Sequence, residues 1–210
     1  DSPRIIIEND ANAELMGNYW FGAYGETLEN SLYISLGEGI GCAQLLEGNI
    51  VRGRRFSAGE IGCLPSGKEK RPCSCGKMDC LQPYCGELGI IQSVKRQNKE
   101  ITSHSIAQLC QLARNNLEIR QQLIEAYHPL VQQISTMIAL TDPAQIVVGC
   151  PDPKMESIIP EILSTGLKTL LGWTGKENIP VLAGLNPMES GILGAAVSVF
   201  KNAFQDEPQI

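Results

Sequence analysis

Four cysteines, Cys63, Cys73, Cys75 and Cys80, are spaced C-x9-C-x-C-x4-C, with Gly76 supplying a turn before the last of them. Thiolates are soft ligands, and four of them about 2.3 Å from a central ion make the tetrahedron of a structural Zn2+ site. Buried thiols or a disulfide pair are the plainer readings, although a C-x-C pair is sterically poor for a disulfide between its own members. Four thiolates on one Zn2+ leave excess negative charge, and Lys68, Lys70, Arg71 and Lys77 lie among the ligands to offset it. Cys85 is left over and reads as packing, as do the isolated Cys42, Cys110 and Cys150.

Two other stretches could do chemistry. Gly37-Glu38-Gly39-Ile40-Gly41 is a glycine-rich turn between two apolar runs. Backbone N–H groups in such a turn can cradle phosphate, although a glycine-rich β-turn is more often only a turn. Glu38 opposes the phosphate reading: a carboxylate about 4 Å from a phosphate charge costs on the order of 4 kcal/mol at an effective dielectric of 20. A bound Mg2+ ion would offset that cost. Asn9-Asp10-Ala11, taken alone, reads as a helix cap.

Bulk properties limit the function classes. The chain has 210 residues, 43% of them hydrophobic and 19% charged, with a formal net charge of −6. That is enough apolar material for a core, and the acidic balance disfavours a nucleic-acid-binding surface within this chain. No apolar run has the length of a membrane span, and the first residues do not form a signal peptide. Eight cysteines in such a chain fit metal binding or burial better than a disulfide framework, and a cytoplasmic location is expected.

The elements that must position these residues follow from pattern. Ile5-Ile6-Ile7 reads as a buried strand already under way, which marks the chain as a piece of a longer protein. A helix follows, with Ala11, Leu15 and Tyr19 on one face. Strands are expected at 32–36, at about 40–46 and from Ile50-Val51, with Glu47-Gly48-Asn49 as a hairpin turn. Residues 52–86 form a long irregular region that needs a function or a staple. Helices are expected from Gly86 to Arg96, after a cap at Ser103 or Ser105, and through Leu123, Tyr127, Leu130, Ile134 and Met137. Pro129 should kink or split the last of these. A strand over 145–148, a helix from about Lys154 to Leu171, a strand over 179–182 and a helix from Glu189 to Phe204 complete an α/β layered domain.

Three blocks resemble the ROK family of bacterial sugar kinases and sugar-responsive repressors. They are Glu8-Asn9-Asp10-Ala11-Asn12-Ala13, Leu36-Gly37-Glu38-Gly39-Ile40-Gly41, and Ala58-Gly59-Glu60-Ile61-Gly62-Cys63 together with Cys73-Ser74-Cys75-Gly76-Lys77-Met78-Asp79-Cys80-Leu81. Weaker echoes lie at 142–149 and 190–196. Within the family the pattern is most similar to the carboxy-terminal lobe of an N-acetylglucosamine-repressor-like regulator. The resemblance implies an actin-like ATPase (ribonuclease H-like) fold, mainly its second lobe, with a zinc-stapled loop. Residues 1–30 would be the tail of the first lobe and an interlobe helix. Residues 31–204 would be the carboxy-terminal lobe, with the zinc loop at 57–86, and 205–210 a tail. The rest of the first lobe and any DNA-binding domain would lie outside this chain, and a homodimer is implied.

The resemblance also implies roles. Asn9, Asp10, Glu60 and Gln82 match sugar-binding positions, and Asp10 matches the general base of the kinases. Gly37, Glu38, Gly39 and Gly41 match the phosphate turn, and Cys63, Cys73, Cys75 and Cys80 match the zinc ligands. Four departures stand out. Cys63 replaces a histidine that can ligate zinc and donate to the sugar, and Gln82 replaces a glutamate. Glu38 replaces a threonine, and Gly149-Cys150 replaces a glycine pair near the nucleotide. A retained sugar core beside a degraded phosphate turn favours the sugar-sensing lobe of a transcriptional regulator, binding a sugar or sugar phosphate. DNA would be contacted only through a domain outside this chain. The alternatives are a kinase using ATP and Mg2+, and a dimerisation lobe that has lost its ligand.

Overall fold

The computed structural model describes residues 5–66, 70–172 and 178–205. Lys68, expected near the cysteines, lies outside them. One mixed sheet organises the chain, with strand order β3-β2-β1-β4-β5. The strands are β1 (Ser31–Leu36), β2 (Ile40–Leu46), β3 (Asn49–Ile50), β4 (Gln145–Gly149) and β5 (Val181–Ala183). The first three form an antiparallel meander; β4 pairs with β1 and β5 with β4, both in parallel. The helices are α1 (Asp10–Phe21), α2 (Gln82–Cys85), α3 (Glu87–Gln97), α4 (Ile106–Ala113), α5 (Leu117–Thr141), α6 (Pro153–Glu156), α7 (Ile159–Leu171) and α8 (Pro187–Gln205).

Strand alternation divides the core in two, because successive side chains point to opposite faces. Leu32, Ile34 and Leu36 of β1 join Ile146 and Val148 of β4 in a large cluster with α3, α4, α5 and α7. Tyr33 and Val147 point the other way, into a smaller cluster with Ala11, Leu15 and Met16 of α1 and Val197 of α8. The result is a sheet covered on both faces, with α1 and α8 together on one of them. Among the described residues no helix is long and apolar enough to cross a membrane.

Three local expectations are corrected. Ile5 and Ile7 are not in a buried strand: they are 81% and 91% exposed, and none of the five strands pairs with them. An apolar run without a ladder partner has no way to satisfy its backbone as a strand. The helix expected over 154–171 is two helices, α6 and α7. Pro160 cannot donate to the carbonyl four residues back, and it occupies the first turn of a new helix instead. Pro129, by contrast, does not split α5, which runs unbroken for 25 residues with Pro129, Leu130 and Val131 all buried. The apolar face on both sides of the proline outweighs one missing hydrogen bond. Asn116 caps that helix by accepting from the N–H groups of Glu118 and Ile119. Ser105, rather than Ser103, caps α4.

Candidate functional site

The amino end of α1 begins at Asn9, whose Oδ1 accepts from the Asn12 N–H at 3.2 Å. Asp10 is the first helical residue and stays exposed, with Oδ1 accepting from the Ala11 N–H at 2.8 Å. Glu8 secures this end: it pairs with the Arg52 guanidinium beyond β3 and accepts from the Asn12 side-chain amide at 3.0 Å. Burial raises the Glu8 carboxyl pKa, but the Arg52 and Asn12 hydrogen bonds more than reverse this and leave it below its ordinary value.

The β1–β2 hairpin closes through Gly37-Glu38-Gly39, since Leu36 pairs with Ile40. The Gly37 N–H donates to the Gly39 carbonyl at 3.1 Å, and the Gly37 carbonyl accepts from the Glu87 N–H at 3.0 Å, which anchors the turn to the start of α3. Gly41 lies against α1, where an added Cβ would be 3.1 Å from that of Ala11. Glu38 is exposed at the tip.

Gly59 brings the third block to the same place. Its φ is +90°, and a Cβ there would fall 2.0 Å from the Cys42 carbonyl oxygen, so only glycine lets the chain cross β2 so closely. Glu60 follows at once, and Gln82 enters from the start of α2. An added Cβ on Gly39 would lie 3.4 Å from the Gln82 Oε1, and one on Gly62 would lie 3.2 Å from it.

These segments enclose one cleft of about 430 Å3. Asn9, Asp10, Glu60 and Gln82 line it, and so do Gly37, Glu38, Gly39 and Gly41. Sequence reasoning missed Glu14, Ser35, Pro151 and Pro187, which also line it, and Cys42, read as packing, lines it too. Glu14 was findable, because it stands four residues after Asp10 and shares its helix face. Burial raises the Glu14 carboxyl pKa, and the nearby Asp10 charge adds to the shift, while the hydroxyls of Ser35 and Tyr33 oppose it. Gly149 and Cys150 do not line the cleft. An added Cβ on Gly149 would meet the Tyr33 hydroxyl at 1.9 Å, and burial pushes the Cys150 thiol up to about 12.

The cysteine loop flanks the cleft through Gly62 and Gln82. The sulfurs of Cys73, Cys75 and Cys80 lie within 4.8 Å of one another. Cys75 and Cys80 are 3.5 Å apart. That is far beyond a disulfide bond and near the roughly 3.8 Å edge of a tetrahedron with 2.3 Å metal–sulfur bonds. Cys63 is not within the trio, but its thiol faces Cys75. The Lys77 backbone N–H, then the Cys73 and Cys80 thiols, stabilise the Cys75 thiolate and lower its pKa to about 7. The donor set therefore fits a soft divalent ion. Bridges between Pro65 and Cys80 and between Pro72 and Met78 brace the loop. Arg71 lies over the Tyr84 ring, 4.3 Å from its centroid, and donates to the Pro83 carbonyl at 3.1 Å. Cys42, Cys85, Cys110 and Cys150 are buried thiols.

A mixed sheet clad in helices, with a polar cleft at the mouth of its central hairpin, defines an α/β fold with one candidate ligand site. The ROK family model matches residues 3–202, and the chain belongs to the ROK family. A glucokinase of Halalkalibacterium halodurans is 38% identical over 108 residues, which is 50% of this chain and 31% of that protein. A xylose repressor of Caldicellulosiruptor bescii is 23% identical over 157 residues, 69% of this chain and 39% of the repressor. The chain thus spans well under two thirds of these relatives. A ROK family glucokinase from Streptomyces griseus, solved with glucose and AMPPNP, superposes with a TM-score of 0.76 at 21% identity. The superposition covers 92% of this chain and 67% of that one. Kinases and repressors are both among the relatives, and a solved ROK family transcriptional regulator also superposes on this fold, with a TM-score of 0.74 at 20% identity over 90% of this chain and 50% of that one.

Proposed function

We propose that this chain is the sugar-sensing lobe of a ROK-type transcriptional regulator. The observation that carries this reading is the single cleft that gathers Asn9, Asp10, Glu60 and Gln82 beside a hairpin turn whose tip is Glu38. Carboxylates and amides suit sugar hydroxyls because they accept several hydrogen bonds at fixed angles. A carboxylate at the tip of the turn works against a triphosphate. Sensing needs only a difference in affinity between two conformations, not chemistry. In this reading the sugar draws this lobe against a first lobe, and DNA is contacted by a domain outside this chain. The exposed Ile5 and Ile7 support assigning residues 1–30 in part to that first lobe.

Cys63, Cys73, Cys75 and Cys80 would hold a structural Zn2+ ion, whose binding energy becomes folding energy for the loop. The loop in turn sets Gly62 and Gln82 at the edge of the cleft. Cys63 keeps a ligand but supplies no ring N–H to the sugar.

The second reading is a sugar kinase with Asp10 as general base, using ATP and Mg2+. The exposed Asp10 carboxylate at the cleft and the glucokinase relative favour it. Full-length protein incubated with magnesium-ATP and a panel of hexoses, pentoses and N-acetylhexosamines separates the two. The regulator reading expects sugar-dependent thermal shifts without phosphorylation; turnover at ordinary kinase rates would sink it.

A further inference from the structure

The charged residues among the described lining of this part of the cleft are all acidic. Asp10, Glu14, Glu38 and Glu60 all line it, and none of the other lining residues is lysine, arginine or histidine. Asp10, Glu38 and Glu60 are exposed. Glu14 is different. It is nine-tenths buried on the inner face of α1; the Ser35 and Tyr33 hydroxyls lie beside its carboxyl, yet its Oε2 has no partner within hydrogen-bond distance among the described residues. Folded proteins rarely leave a buried carboxylate oxygen without a donor, because desolvation is then uncompensated. A ligand in the cleft can bring that donor.

The chemistry of the donor can be narrowed. A bare divalent cation needs its oxygen ligands drawn tightly around it. Among the described residues the cysteine trio is the only group of three or more Cys, His, Asp or Glu ligand atoms within 4.8 Å of one another. No three of the four carboxylates therefore converge on one point, and a cleft of about 430 Å3 is within the range of small-molecule sites. A phosphate ester would add negative charge to a cleft already crowded with it. A hydroxyl could donate to Glu14 but would leave the mutual repulsion of the carboxylates unrelieved. A protonated amine offers three N–H donors and a positive charge.

We propose that Glu14 is a ligand-binding residue of this cleft, and that it and its three neighbouring carboxylates select a sugar bearing a free, protonated amine and reject sugar phosphates. The proposal rests on the sugar-binding reading above and specifies its ligand. The amine sits between Glu14 and the exposed carboxylates, while Asn9 and Gln82 take hydroxyls.

Titration calorimetry of the full-length protein tests this with D-glucosamine, D-glucose, N-acetyl-D-glucosamine and D-glucose 6-phosphate, repeated in the manno and galacto series. In the series that binds, the free amine should bind at least tenfold more tightly than both the parent sugar and its N-acetyl form. The phosphate ester should bind more weakly than the parent. Glu14→Gln should weaken the amino sugar at least tenfold and the parent sugar less than threefold. Equal affinity for amine and parent, or tighter binding of the phosphate ester, overturns the proposal while leaving the sugar-binding reading intact. Binding by no sugar in any series defeats both. Should Glu14→Gln fail to fold, the comparison of amine, N-acetyl and parent sugars on the unaltered protein still decides.

Discussion

Gly194 of α8 is packed onto the Ala13 carbonyl of α1 so closely that an added Cβ would lie 1.7 Å from that oxygen. Gly17 reciprocates, since a Cβ there would lie 2.0 Å from the Ser190 carbonyl oxygen. The two helices therefore meet backbone to backbone at small residues. This contact places Asn9, Asp10 and Glu14, because α1 carries all three to the cleft. Asn18 adds a second tie, accepting from the Leu185 N–H at 2.8 Å and donating to the Glu14 carbonyl at 2.9 Å.

Gly194→Val should thus damage both stability and binding. Overpacking of a tight contact costs roughly 1–3 kcal/mol, more where backbone must move. Urea unfolding should show at least that loss, and sugar-induced thermal shifts should disappear. Ala196→Val, at an exposed position on the same helix, is the control and should change little. Equal behaviour of the two variants would remove the crossing from the explanation of the site.

The cysteine loop should depend on metal. Elemental analysis should return about one zinc per chain, as a four-thiolate structural site requires. Cys75→Ala or Cys80→Ala should open residues 51–81 to protease while the sheet stays folded, because the described residues of that segment hold only one short 3-10 turn, Ile61–Cys63. A chelator should have the same effect. Metal-free protein with an equally protected loop would refute the site.

The Glu8–Arg52 pair should give a pH-dependent contribution. The Glu8 carboxyl is held below its ordinary value of 4.5, since the Arg52 and Asn12 hydrogen bonds more than cancel the opposing effect of burial. A depressed carboxyl pKa stabilises the fold above 4.5 and loses that effect as the pH falls through the folded value. Arg52 is partly exposed, so the contribution is small, about 1 kcal/mol or less. Melting temperatures of Arg52→Met and unaltered protein should differ near pH 7 and converge towards pH 3.

Glu14 should behave in the opposite sense. Burial raises its pKa, the Asp10 charge adds to that, and the Ser35 and Tyr33 hydroxyls only partly oppose it. A raised carboxyl favours folding most where it is protonated, and that advantage is lost as the pH rises. Tyr33 does not titrate in the working range, since burial holds it protonated. Glu14→Gln should accordingly be more stable than unaltered protein at pH 8, with the advantage shrinking towards pH 4. A pH-independent difference would show that Glu14 is not ionised in a desolvated site. Such a residue, kept at a cost in stability, is what a binding role leads one to expect.

Much of this architecture was legible in the chain. The alternation Leu32, Ile34, Leu36 and the glycine turn predict β1, β2 and the hairpin between them, and the structure has both strands within one residue. Those signals are local, and local geometry is enough to create them. Ile5-Ile6-Ile7 misled because strand formation needs a neighbour that sequence pattern cannot supply. The break between α6 and α7 was signalled by Pro160, but Pro129 carries the same signal inside an unbroken α5. The difference is packing on either side, which no window of sequence contains.

The cysteine spacing and the Asn9-Asp10, Gly37–Gly41 and Gly59-Glu60 motifs are properties of the sequence by itself, because ligand type and turn chemistry reside in individual residues. Their meeting in one cleft was decided only by tertiary structure. Gly59 must cross the Cys42 carbonyl, Gly41 must meet Ala11, and α1 must seat on α8 at Gly17 and Gly194 before the motifs can face one another. Only then does Glu14 become a buried carboxylate whose Oε2 has no partner among the described residues, since burial and hydrogen bonding are properties of the packed chain and of no residue in it.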